Sequence, residues 1–131
     1  RTRLSNGIEV TYAQRTAVPV TQLAMAFDAG NASDAPDRRG LQNMALSLLD
    51  EGAGDLSSRQ IAERMEELGA QIYVQPTADL SIVRLSALSD NLQPSLGLLS
   101  DVVQRPRFDT AEVERVRNQL LTQIAQEQKD P

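Results

Sequence analysis

The side chains in this chain that could do chemistry are carboxylates, guanidinium groups, hydroxyls, amides and the amine of Lys129, because its 131 residues include no histidine and no cysteine. Histidine is the commonest general base and the commonest zinc ligand, and cysteine supplies thiolate ligands, nucleophiles and disulfides. A Ser-His-Asp triad, a thiolate metal site and a histidine-bound zinc are therefore excluded for these residues.

The remaining charged clusters are typical of an ordinary protein surface. The run Glu63-Arg64-Met65-Glu66-Glu67 could bind a divalent ion only with oxygen ligands from elsewhere, so it is interpreted as a solvated helix face. Arg38-Arg39 is interpreted as surface or as part of a packing ion pair rather than an anion site. Gly30, Gly52 and Gly54 are turn and cap glycines that form no phosphate loop. The net charge of −5 argues against nucleic acid as a partner.

The first half of the chain predicts strands followed by two helices. Residues 3–27 predict strands, with a turn at Ser5-Asn6-Gly7, and the polar residues 28–39 predict a loop. A helix follows over residues 39–51, and a second one begins at a capping box over residues 57–60. The predicted core face of the first helix consists of apolar residues at helical spacing: Leu41, Met44, Ala45, Leu48 and Leu49.

The second half repeats the order of strands and then helices. Residues 70–75 and 80–88 predict a hairpin, because β-branched and aromatic residues alternate with polar ones. Asp90 is predicted to cap a third helix that stops at Arg105-Pro106, and Asp109 opens a fourth. This order predicts an α+β two-layer sandwich, with helices packed on one face of a mainly antiparallel sheet.

The chain is expected to be one domain over residues 1–131 and a fragment of a longer chain. Arg1 lies close to the first predicted strand, and the chain stops at Pro131 with little other helix-ending chemistry. No apolar run approaches the roughly 18 to 20 residues that span a bilayer, so no membrane span is expected in this segment.

A series of short motifs follows in order along the chain. They are Leu4-Ser5-Asn6-Gly7-Ile8, Phe27-Asp28-Ala29-Gly30, Arg39-Gly40-Leu41, Leu48-Leu49-Asp50-Glu51-Gly52, Leu68-Gly69-Ala70, Asp101-Val102-Val103, Pro106-Arg107-Phe108 and Asp130-Pro131. Together they resemble the insulinase/pitrilysin family of zinc peptidases, which includes the mitochondrial processing peptidases. The resemblance implies the first α+β subdomain of one family half.

The resemblance also implies where the zinc site of an active relative would lie. In active members, the helix opened by the Gly-Leu pair carries H-x-x-E-H, and a later helix supplies a third ligand, a glutamate. The matching positions here are Asn43, Leu46, Ser47 and Gln123. None of these residues can act as a general base, and none is a strong zinc ligand. The resemblance therefore implies that this domain has no catalytic residues and no metal.

The function implied by the resemblance is that of a metal-free half that encloses a peptide substrate. Its partner would be a catalytic half with an intact zinc motif, on the same chain or on a separate subunit, and zinc is expected there. In catalytic halves, the strand after the second helix binds substrate along its edge, which makes Tyr73 and Val74 candidate substrate-binding residues. Pro76 removes an N–H donor just beyond them, and an ordinary sheet strand is the alternative.

Two other functions stay open at this point. Relatives in this family also serve as scaffold subunits of a respiratory complex without peptidase activity, and a generic α+β binding module lies outside the resemblance altogether. Analogy with bacterial family members suggests the periplasm or the cell envelope, and the absence of cysteine is compatible with that location.

Overall fold

The computed structural model describes residues 1–129, so the Asp130-Pro131 motif lies outside the described residues. Its elements, in chain order, are β1 (Thr2–Arg3), β2 (Glu9–Val10), β3 (Val20–Phe27), α1 (Leu41–Ser47), β4 (Gly52–Ala53), β5 (Leu56–Ser57), α2 (Ser58–Leu68), β6 (Ala70–Pro76), β7 (Ser81–Leu88), α3 (Leu92–Gln104) and α4 (Thr110–Glu127). Short 3-10 turns at Asn31–Ser33 and Ser89–Asn91 precede α1 and α3. The predicted α+β class is confirmed.

The main sheet has three antiparallel strands in the order β3-β7-β6. The predicted hairpin is its β6-β7 pair, and the direct cross-strand partners include Tyr73 and Arg84. Burial alternates along β7, where Val83 and Leu85 are almost fully buried while Arg84 is exposed. A strand that buries every second side chain has one face against the core and one face toward solvent.

The helices cover one face of this sheet and close the core. One buried cluster joins strands β6 and β7 to Leu68 and Leu99, and a second joins Ile61 of α2 to Leu98 and Val102 of α3. Fully burying one such aliphatic side chain contributes about 1.5–3 kcal/mol, so these clusters hold the two layers together. Within residues 1–129, no helix combines the length and apolarity needed to cross a membrane.

Helix α2 begins at the capping box that the sequence predicts. The hydroxyl of Ser57 accepts from the Gln60 N–H at 3.3 Å, and the Gln60 side chain accepts from the Ser57 N–H at 2.9 Å, which completes the capping box. Gly69 ends the helix in the left-handed region at φ 60°.

Three predictions from the sequence need correction. The strand prediction over residues 3–27 is too continuous, because β1 and β2 form a separate small hairpin and β3 begins only at Val20. Helix α1 is shorter than residues 39–51, and Leu41 is 54% exposed whereas Leu46 is buried. Asp90 lies in a 3-10 turn and is not the N-cap residue of α3, because Asn91 occupies that position. The Asn91 side chain instead donates to the Leu68 carbonyl at 3.0 Å, at the end of α2.

Candidate functional site

The N-terminus of α1 is held by a carboxylate from the preceding loop. Gly40, at φ 91°, occupies the N-cap position and has no side chain with which to cap the helix. Asp34 replaces that cap, because its two carboxylate oxygens accept from the N–H groups of Gly40 at 2.8 Å and Gln42 at 3.1 Å. A negative charge here is also favoured by the helix dipole. This loop therefore fixes the helix that carries Asn43, Leu46 and Ser47.

The three α1 positions of the degenerate motif do not form a ligand set. Leu46 is buried and has no donor atom. The Ser47 hydroxyl donates to the Asn43 backbone carbonyl at 2.9 Å, so it is engaged within its own helix. Asn43 is half-buried and lines a shallow cavity of about 580 Å³ together with Asp34 and Arg39. Neutral amide and hydroxyl oxygens do not replace two imidazoles, so this helix does not fit a catalytic zinc.

The fourth position, Gln123, lies on α4, which packs against α1. Its side chain is exposed, and its amide donates to the Glu127 carboxylate on the same helix at 3.0 Å. Across the described part of the chain, no group of three or more His, Cys, Asp or Glu side chains is placed to hold a metal ion. The fold thus places in contact α1 and α4, the two helices to which the family resemblance assigns the zinc positions.

A buried polar network that the sequence did not reveal connects α1 to the sheet. The Gln42 amide donates to the Ser81 hydroxyl at 2.7 Å, and the Ser81 hydroxyl donates to the Ala29 carbonyl. Ser81 is only 2% exposed, so it needs these partners. The one signal in the sequence is that Ser81 alternates with Val83, Leu85 and Ala87 and so shares their core-facing side of β7.

The loop that contains Ala29 is also pinned to the β6-β7 turn. The N–H groups of Asn31 and Ala32 donate to the carbonyls of Thr77 and Ala78 at 3.0 and 2.9 Å. Gly30 lies between the two segments, and a Cβ there would lie 2.2 Å from the Ala78 oxygen. Only glycine fits this approach, which explains why the motif ends in Gly30.

A second polar cluster connects α2 and α4 to the segment that follows α1. The Glu51 carboxylate accepts from the Ser58 hydroxyl at 2.7 Å and pairs with Arg115, which also pairs with Glu112 at 2.8 Å. Hydrogen bonds to Glu51 and then to Glu112 raise the pKa of Arg115. Burial raises the pKa of neighbouring Asp50, and the negative charge of Glu51 adds to that rise. The cluster positions the end of α1 against α4.

The run of acidic residues on α2 is part of the helix surface. Glu63 pairs with Arg59 at 2.7 Å and Glu67 pairs with Arg64 at 2.9 Å, within one turn of the same helix. These side chains are about half exposed or more, so their ion pairs contribute little to stability. The interpretation as a solvated helix face agrees with this arrangement.

Strand β6 is an edge strand of the main sheet, and the hydrogen bonds show which of its backbone groups are free of the sheet. Thr77 and Leu80 continue the β6-β7 pairing by one residue, and the Thr77 N–H donates to the Leu80 carbonyl. Pro19 and Ser89 continue the β3-β7 pairing in the same way, and the Ser89 N–H donates to the Pro19 carbonyl. Because bonding alternates along antiparallel strands, odd-numbered residues of β6 bond to β7 and even-numbered ones point outward. The outward groups belong to Ala70, Ile72, Val74 and Pro76. Pro76 therefore leaves the ladder intact and removes only an outward donor.

The two candidate substrate-binding residues point in different directions. Val74 turns its side chain toward the core and its backbone groups outward, whereas the Tyr73 side chain is 54% exposed on the other face. The outer edge of β6 borders a shallow groove of about 490 Å³ whose other wall includes Met65 and Glu66 of α2. The backbone groups of Val74 and the exposed side chain of Tyr73 are therefore the parts of these residues that point away from the core and from β7.

The elements form an α+β sandwich in which α1 packs against α4. Residues 9–131 match the family model for Insulinase (Peptidase family M16), and the chain belongs to this family. It is 22% identical over 129 residues to an uncharacterized zinc protease of Rickettsia felis, covering 98% of this chain and 31% of that protein. It is also 22% identical over 122 residues to cytochrome b-c1 complex subunit 1 of Bos taurus, covering 93% of this chain and 25% of that protein.

Among solved structures, the chain resembles a peptidase M16 inactive domain from Pseudomonas fluorescens. The TM-score is 0.93 and the identity is 26%, over 99% of this chain and 32% of that one. The sandwich predicted from the sequence is therefore that of the family. The chain spans less than a third of the length of each of these relatives.

Proposed function

We propose that this chain is a non-catalytic, substrate-enclosing domain of a zinc metallopeptidase assembly. The observation that carries the proposal is the state of the family's zinc positions: Leu46 is buried, the Ser47 hydroxyl bonds within α1, and Gln123 bonds within α4. Restoring a zinc site would require new side chains on both helices rather than a rotation of existing ones. The similarity to a structure described as an inactive domain supports this proposal.

The partner in this proposal is a catalytic half that carries an intact H-x-x-E-H motif and its zinc. That half is either elsewhere on the same polypeptide or on a separate subunit. Similarity to a zinc protease supports a peptidase context. The close contact at Gly30 and the ion pair between Glu51 and Arg115 hold the segments on either side of α1 in place, which suits a surface that encloses substrate better than a mobile catalytic loop. The domain contributes shape and backbone hydrogen bonds, and the partner contributes the water-activating chemistry.

The substrate contact in this proposal is the outer edge of β6. Ala70, Ile72 and Val74 each offer an outward N–H and C=O, whereas Pro76 offers only a carbonyl. An extended peptide could add to this edge as a further strand over about seven residues, the length of β6. Backbone pairing of this kind is tolerant of sequence, which suits a domain that encloses varied peptides.

A peptidase assay on quenched peptides, with the full-length protein added to its intact-motif partner, tests this edge. Val74→Pro removes one outward N–H without touching the ladder, so we expect a rise in KM of about three- to tenfold, equivalent to about one hydrogen bond. Val74→Ala keeps that N–H and is the matched control for the loss of side chain. Equal KM values for the two variants would show that the edge does not bind substrate.

The alternative function is a structural subunit with no role in peptide turnover. It is favoured by the similarity to cytochrome b-c1 complex subunit 1, a component of a complex. The two functions differ in their dependence on the partner. A scaffold subunit would co-purify with a stable complex and leave the partner's peptidase rate unchanged, whereas a substrate-enclosing half would raise that rate.

A further inference from the structure

The turn of the β1-β2 hairpin contains a pair of residues that can react with each other. Asn6 is followed by Gly7, whereas the other four asparagines of the chain precede larger residues. An asparagine amide carbon and the next backbone nitrogen can close a small imide ring with loss of ammonia. Glycine is the residue that hinders this ring closure least, because no side chain lies beside its nitrogen.

The side chain of Asn6 is folded over the nitrogen that would attack it. Its amide oxygen accepts from the Ile8 N–H at 3.2 Å, and this bond closes a ring that contains both the Asn6 Cγ and the Gly7 nitrogen. The same bond withdraws electrons from Cγ and so favours attack there. Both residues are exposed, and a Cβ on Gly7 would meet no atom within 4 Å. No neighbouring segment therefore crowds this side of the turn.

One hydrogen bond opposes the reaction while the hairpin is closed. The Gly7 N–H donates to the Leu4 carbonyl at 2.9 Å, and the nitrogen must lose this proton in order to attack. The hairpin that holds the bond is small, because β1 and β2 pair over two residues each and form a sheet of their own. Residues 1–9 are all exposed. Segments with few buried contacts open locally without global unfolding, so the bond breaks transiently in the folded protein.

We propose that Asn6 is a site of spontaneous deamidation in the folded protein. The Gly7 nitrogen loses its proton to water and bonds to the Asn6 Cγ, while the bond from Cγ to Nδ2 breaks and ammonia leaves. Water then adds to one of the two imide carbonyls that flank position 6. Cleavage of the new bond to Cγ leaves aspartate, and cleavage of the original peptide bond leaves isoaspartate. This site does not depend on the proposed function.

The two products differ in their effect on the hairpin. Each adds a negative charge to a chain whose net charge is already −5. Isoaspartate also adds a carbon to the main chain between Leu4 and Ile8, where the Leu4 N–H donates to the Ile8 carbonyl at 2.9 Å. The lengthened turn no longer matches this pairing. Its free main-chain carboxylate is the group that isoaspartyl methyltransferases methylate with S-adenosylmethionine.

Ageing of the full-length protein in mildly alkaline buffer tests the proposal. Trypsin cleaves after Arg3 and Arg15, and mass spectrometry of residues 4–15 distinguishes the amide from the acid. Transfer of a labelled methyl group from S-adenosylmethionine counts the isoaspartate. We expect Asn6 to convert at a rate within about tenfold of that in a free peptide of residues 4–15, since only a local opening precedes the reaction. The other four asparagines should still be intact when half of Asn6 has converted.

Two comparisons separate local chemistry from general damage. Asn6→Gln keeps an exposed amide but moves its carbon one bond further from the Gly7 nitrogen, so conversion should be lost. Urea well below the unfolding transition should leave the rate unchanged, because local opening exposes little surface. Circular dichroism checks that the protein stays folded in both experiments. An intact Asn6 after the free peptide has converted, equal conversion at the other asparagines, or a rate that follows global unfolding would each overturn the proposal.

Discussion

The close approach at Gly30 offers a direct test of how the candidate site is built. Replacing Gly30 with alanine adds a Cβ that would lie 2.2 Å from the Ala78 oxygen and 2.5 Å from the carbonyl carbons of Ala78 and Asp79. All three atoms belong to the backbone of the β6-β7 turn, so no side chain can rotate away. The loop and the turn must therefore separate by about 1 Å to restore ordinary van der Waals contact.

The energetic consequence follows from the hydrogen bonds that cross this contact. Separation weakens the bonds from Asn31 to Thr77 and from Ala32 to Ala78, each of which contributes about 1 kcal/mol. It also displaces the Ala29 carbonyl from buried Ser81, and a buried hydroxyl without its partner costs about 1–3 kcal/mol. We expect Gly30→Ala to lower the free energy of unfolding by about 3–5 kcal/mol, a large share of the usual 5–15 kcal/mol.

Urea denaturation followed by circular dichroism measures this change. Gly97→Ala is the matched control, because a Cβ at Gly97 meets no atom within 4 Å and the residue lies inside α3. The same chemical change there should stabilise the protein by about 0.5–1 kcal/mol through helix propensity. A loss of less than about 1 kcal/mol in Gly30→Ala would refute the packing argument, since one weakened hydrogen bond would account for it.

The charged groups beside α1 give two further predictions. Burial disfavours the ionised carboxylate of Asp50 in the folded state and so raises its pKa. The protein therefore loses stability as the pH rises from the unfolded pKa of this group through its folded pKa. Asp50→Asn should therefore raise stability at pH 7, and the gain should vanish below the unfolded pKa of about 3.9; a gain that is independent of pH would contradict this cause. Glu51→Gln removes the pairing with Arg115 and should cost about 1 kcal/mol, less at high salt because Arg115 is partly exposed. It should also lower the pKa of Asp50, which a stability profile against pH would detect.

The parts of the fold that could be predicted from the sequence are those specified by neighbouring residues. The capping box at Ser57 and Gln60 and the left-handed Gly69 define both ends of α2 within a few residues. The β6-β7 hairpin was predictable because its alternation of apolar and polar residues is local. Local signals and tertiary packing agree in these elements.

The errors and omissions arise where distant residues decide. Asp90 has the right type for a cap, but it falls inside a 3-10 turn, and the side chain of Asn91 is drawn to the end of α2. The Gln42 and Ser81 contact joins residues 39 positions apart, and no periodicity encodes it. The assignment of zinc positions rests on the family resemblance alone, and the engagement of Ser47 within α1 is visible only in the structure.

The central claim is that this domain lacks catalysis of its own and acts on a partner's substrate. The most direct measurement combines zinc analysis of the purified domain with a peptidase assay on quenched peptides, with and without the intact-motif partner. The account predicts a zinc-free, inert domain and a full-length protein that raises the partner's turnover. Stoichiometric zinc together with peptide cleavage by the domain alone would contradict it, because Asn43, Leu46, Ser47 and Gln123 could not then be the family's zinc positions.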